Sequence, residues 1–133
     1  MATGVSAPRL AITSGEPAGI GPDLLLALGA REFDGADFLA KLPVELVVLG
    51  DRSVFDERAK LLGLTYDWPD YDAEAPNEAG TIRFLNLPTS QPVHTGRLDP
   101  RNAMHVLALL DRAADGCTAG EFIGMVTAPV HKG

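Results

Sequence analysis

The sequence predicts an α/β fold, a mainly parallel sheet with helices on both faces. Two observations point to it. Short apolar runs with β-branched residues recur along the chain and alternate with stretches of helical spacing, the pattern of β–α–β crossovers. One of those runs, Val44–Gly50, is apolar almost throughout instead of every second residue, as a central strand covered on both sides requires. The composition agrees with this class: 133 residues, 46% hydrophobic and 22% charged, suit a single globular unit with a core of its own.

The elements follow in order. Arg9–Ser14 is a short apolar strand running into the glycine- and proline-rich stretch Gly15–Pro22, a tight loop. Pro22 suits a first helical position, where its missing N–H costs nothing, and the apolar helix continues over Leu24–Arg31 with Asp23 at its positive end. After the strand Val44–Gly50, Asp51 or Ser53 caps a helix reaching about Leu62. Gly63–Gly80, with Trp68, Asp70, Asp72 and Glu74, reads as an acidic surface loop containing a short extended piece. Thr81–Leu87 is the third strand, and a loop through Pro88, Pro92 and Gly96 follows it. Asp99-Pro100 opens a helix whose inner face is expected at Ala103, Val106 or Leu107, Leu110 and Ala114, running toward Gly116 or Gly120. Phe122–Thr127 is the last strand.

Composition excludes several functions. A formal charge of −7 with no basic cluster argues against nucleic acid as a partner, since that binding draws on grouped Lys and Arg. The single cysteine, Cys117, cannot form an intrachain disulfide, and the N-terminal residues have no export pattern. No apolar run is long enough to span a membrane. The expected compartment is the cytoplasm.

In open α/β sheets ligands bind beyond the carboxyl ends of the strands, so the segments after the first and last strands are the places to look for chemistry. The first offers Gly15, Glu16, Gly19 and Gly21, glycines that let backbone approach a ligand ahead of a helix N-terminus. It could hold a phosphate, a ribose or a carboxylate, and equally it could be a tight turn whose glycines serve backbone geometry alone. Its glycine spacing is not the dinucleotide fingerprint. The second places His131 and Lys132 at a strand end, where Lys132 could neutralise a phosphate and His131 could move a proton or donate to an oxyanion; an ordinary solvated loop is the plainer alternative. His94 and His105 have no metal-ligand spacing and read as surface histidines, Cys117 as an inert buried thiol, Met104 and Met125 as packing residues. The acidic stretch from Asp67 to Glu78 reads most simply as a solvated face, with capture of a divalent metal as the alternative.

Taken together, Ile12–Asp23, Pro43–Val48, Thr95–Leu98, Asn102, Asp115–Cys117, Gly120–Phe122 and Thr127–Gly133 resemble the 4-hydroxythreonine-4-phosphate dehydrogenases of vitamin B6 (pyridoxine) biosynthesis. Ser14 stands where many relatives have proline. The resemblance implies an α/β/α fold related to isocitrate and isopropylmalate dehydrogenases, working as a homodimer with both subunits at each active site. It implies NAD-dependent oxidation of a small phosphorylated hydroxy acid followed by decarboxylation, assisted by a divalent metal such as zinc, magnesium or cobalt. The family's metal-binding histidines and its substrate-binding histidine-threonine pair are expected beyond Gly133, and none of His94, His105 or His131 matches them. No residue of this sequence is therefore assigned as catalytic or as a metal ligand. Residues 1–133 are expected to be the N-terminal α/β portion of a longer dehydrogenase chain, truncated after Gly133 and inactive alone, with unpaired strand edges that favour self-association. The alternatives are a related threonate or erythronate 4-phosphate dehydrogenase and a stand-alone phosphate- or nucleotide-binding module.

Overall fold

A computed structural model describes residues 7–29, 41–89 and 100–128. Four strands, β1 (Arg9–Thr13), β2 (Glu45–Gly50), β3 (Ile82–Asn86) and β4 (Gly124–Thr127), form one sheet in the order β3-β2-β1-β4. Every pairing is parallel, with Ala11 opposite Val47 and Met125. The expected fold class is the observed one. β2 is buried along its whole length, as its unbroken apolar run required.

Helices cover both faces. α1 (Gly21–Gly29) and α2 (Arg52–Leu62) lie on one, where Leu26, Phe55 and Ala59 close over Val48 and Phe84. Phe55 meets Phe84 and Trp68 edge-on with ring centroids 5.0 and 5.9 Å away, contacts of about 0.5–1.5 kcal/mol each beyond the area they bury. α3 (Ala103–Thr118), entered through a 3-10 turn at Pro100–Asn102, covers the other face with Leu109 and Ala113 against Ala11, Val47 and Leu49.

Several details differ from the sequence reading. The first helix begins at Gly21, ahead of Pro22. Asp51 is the α2 cap, accepting from the Ser53 N–H at 2.9 Å, and the helix ends at Leu62 with Gly63 in the left-handed region. The inner stripe of α3 is His105, Leu109, Ala113 and Gly116, while Ala103, Leu107 and Ala114 are exposed. The helix is rotated relative to the expected face, and on the buried side Gly116 makes room for the Phe122 ring: a Cβ there would lie 2.4 Å from that ring. Phe122 is thereby a core residue ahead of β4, not part of the strand. Met104 is 72% exposed and does not pack, whereas Met125 joins the α3-side core and Cys117 is partly buried against it. Asp99, His94 and the loop through Pro92 and Gly96 lie outside the described residues.

The 63–80 stretch is partly core. Trp68 is buried, and Asp70 bridges to Phe84 as the expected extended piece along the outer edge of β3. The acidic side chains Asp67, Asp70, Asp72, Glu74 and Glu78 are exposed, a solvated face as read. Buried Arg9 ties this stretch down: it pairs with Glu45 at 3.0 Å and donates to the carbonyls of Asp72, Ala73 and Ala75.

Candidate functional site

The chain leaves β1 toward β2 on one side, while β4 joins β1 from the other side after the α3 crossover. The carboxyl ends of β1 and β4 are therefore the switch point at which α/β sheets open a crevice. The backbone there is closely tied. The Ser14 N–H donates to Leu49 O and the Ala128 N–H to Thr13 O, extending both ladders past the strands.

The loop from Ser14 to Gly21 is packed inward, with Thr13 through Ala18 all buried. Gly15 turns the chain at φ 75°, a conformation that suits glycine. Gly21 is required by closeness: a Cβ would sit 1.9 Å from Ser14 O. At Gly19 the N–H closes a tight turn onto Glu16 O at 2.9 Å. Gly15 and Gly21 thus serve the loop's own geometry, and a Cβ at Gly19 would lie 3.2 Å from Glu16 O.

Glu16 is only 7% exposed, with Oε1 accepting from the Ala18 N–H at 3.2 Å and from Asn102 Nδ2 at 3.1 Å. Asn102 stands at the N-cap of α3 yet makes no side-chain cap bond, its amide being turned onto Glu16 instead. From α2, Arg58 reaches under the same loop and donates to Pro17 O and Gly19 O, each at 2.8 Å, and to Asp23 Oδ1 at 2.9 Å. Two buried side chains from separate helices thus hold the loop in one shape. Sequence reasoning passed over Arg58, which no local pattern distinguishes from a solvated helix residue.

His105 lies in the first turn of α3, 8% exposed, so it is not the surface histidine expected. Burial lowers its pKa below 6.5, and the carboxylates of Asp51 and Glu16 only partly oppose that. Asp51 is itself held below its usual value: burial works against its charge, but hydrogen bonds from Ser53 and Thr89 together outweigh it. Among the described residues the structure brings together Gly15, Glu16, Gly19 and Gly21; His131 and Lys132 lie outside them. No group of three His, Cys, Asp or Glu side chains able to hold a metal ion exists among the described residues. No helix among them is long and apolar enough to cross a membrane.

Fold and site together define a parallel α/β unit with helices on both faces and a packed, glycine-containing loop at its switch point. The profile of one family, described as pyridoxal phosphate biosynthetic protein PdxA, matches residues 42–133, and the chain belongs to that family. It is 46% identical over 126 residues to a 4-hydroxythreonine-4-phosphate dehydrogenase of Chromobacterium violaceum, covering 95% of this chain and 36% of the relative. A protein of the same description from Azoarcus sp. is 48% identical over 126 residues, with the same coverage. The chain thus spans a little over a third of the length of the curated relatives it matches. Among solved structures, a 4-hydroxythreonine-4-phosphate dehydrogenase from Burkholderia phymatum superposes with a TM-score of 0.74 at 23% identity, covering 96% of this chain and 38% of that one. One from Klebsiella pneumoniae gives 0.71 at 23% identity. These structural likenesses support the fold.

Proposed function

We propose that this chain is the crevice-floor portion of a longer 4-hydroxythreonine-4-phosphate dehydrogenase acting in vitamin B6 biosynthesis, and that it does not turn over by itself. The observation behind this reading is that relatives of that description match 95% of the chain, while the match covers only 36% of their own length. The whole enzyme would oxidise the alcohol of a small phosphorylated hydroxy acid with NAD and release carbon dioxide, in the cytoplasm and as a homodimer.

The described residues hold no group able to bind a metal ion, and the divalent ion of this reading would be held by the histidines that the family resemblance places beyond Gly133. The loop is closely packed on itself, and Glu16 Oε1 accepts from Asn102. What this chain supplies is the shape of the crevice floor: Arg58 and Asn102 fix the loop, and Gly15, Glu16, Gly19 and Gly21 are candidates to meet substrate or cofactor mainly through backbone. Lys132 is the candidate to neutralise the phosphate, and His131 to move a proton or donate to an oxyanion.

The test uses a protein of the relatives' full length that contains this chain. NADH formation is followed with 4-phosphohydroxythreonine and, separately, with threonate and erythronate 4-phosphates. Preference for the amino acid supports the reading; preference for a sugar acid would replace it with the related dehydrogenase.

A further inference from the structure

Two buried side-chain atoms among the described residues have no hydrogen-bond partner: Thr13 Oγ1 and His105 Nε2. Thr13 is wholly buried and His105 nearly so. A buried polar group without a partner costs about 1–3 kcal/mol, so two on one small unit call for an explanation.

Their positions supply it. Ala11 of β1 packs with Leu109 of α3 in one core cluster. Thr13 is two residues further along the strand on the same face, about 6–7 Å toward its carboxyl end. α3, as a crossover helix, runs opposite to the strands, and His105 is four residues before Leu109 on its buried stripe, about 6 Å in that same direction. Both residues therefore belong to the layer just beyond the Ala11–Leu109 core, close in sequence to the loop that Glu16 and Asn102 close.

We propose that Thr13 and His105 bind one internal water molecule, which joins the end of β1 to the first turn of α3. The chemistry of the layer selects this occupant. An anion is disfavoured by the carboxylates of Glu16 and Asp51, whose charges both reach His105. A metal ion finds no ligand set among the described residues. An uncharged hydroxyl-type group both donates and accepts, so it satisfies the threonine hydroxyl and an imidazole nitrogen in either tautomer. Buried polar sites of this kind hold waters making two to four hydrogen bonds. The water completes the floor of the crevice without adding charge to it.

The test is water–protein cross-relaxation by NMR on this chain, with bulk water as the probe. Long-lived water cross-peaks are expected at both the Thr13 side chain and the His105 ring. Thr13→Val should abolish the one at His105, and Thr13→Ser, which keeps the hydroxyl and serves as the control for folding, should retain it. Absence of both peaks in the unaltered chain, a direct Thr13–His105 hydrogen bond, or a His105 peak that survives in a folded Thr13→Val variant would each overturn the proposal.

Discussion

Replacing Arg58 with Met keeps most of the side-chain volume and removes the guanidinium that clamps the Ser14–Gly21 loop. The side chain is 3% exposed and donates at 2.8 Å to Pro17 O and to Gly19 O. A buried carbonyl left unpaired costs about 1–3 kcal/mol, so losing both costs about 2–6 kcal/mol. The Asp23 partner is one-third exposed, and its carboxylate rehydrates, so that contact adds under about 1 kcal/mol. Relief from burying a charge works in the opposite direction. The net expectation is a loss of about 3 kcal/mol. Urea unfolding of the chain reads it as a fall of about 2 M in midpoint at unchanged slope, taking a slope near 1.5 kcal/mol/M for this size. Arg58→Lys, with its charge kept and the two-armed reach lost, should fall between. A loss below about 1 kcal/mol in Arg58→Met would refute the argument that these bonds fix the loop.

Other consequences follow from the same geometry. Gly21→Ala puts a methyl 1.9 Å from a backbone oxygen that cannot swing aside, so it should cost about 3 kcal/mol or more by urea unfolding; a neutral effect would mean that the loop is not packed as described. His105 binds a proton less readily folded than unfolded, so the unfolded state holds more protons and stability falls as pH drops below about 6.5 toward the lowered pKa. That part of the decline should vanish in His105→Phe, measured by thermal unfolding across this range. Tyr66 and Tyr71 are each pushed up to about 12 by burial and by their bonds to Asp56 and Glu121, so ultraviolet titration should show neither phenol ionising near 10 until the chain unfolds. β4 is an outer strand with Val126 about half exposed beside exposed Ile123, and sedimentation velocity of the chain should show association that grows with concentration. A monomer at every concentration would contradict this.

Much of the fold was legible because backbone chemistry acts locally. The apolar run of β2, the Asp51 cap and the Gly63 stop are short-range signals, and α2 falls between the expected limits. The α3 face was misjudged because its buried stripe includes His105 and Gly116, residues whose hydropathy does not mark a core position. That face is marked by tertiary contacts, Phe122 against Gly116 and Leu109 and Ala113 against the sheet. At the site, the glycines announced a special loop, but their spacing could not tell a ligand cradle from a self-packed turn. The packing of the loop, with its 1.9 Å closeness at Gly21 and the turn of Glu16 toward Asn102, 86 residues away, depends on contacts that spacing does not encode. Arg58, 41 residues from the Pro17 carbonyl it holds, was invisible for the same reason.

The most direct test of the functional account is NADH formation from 4-phosphohydroxythreonine with a divalent metal, run side by side on this chain and on a protein of the relatives' full length that contains it. The account predicts turnover in the longer protein alone. Turnover by this chain, or by neither protein, would contradict it.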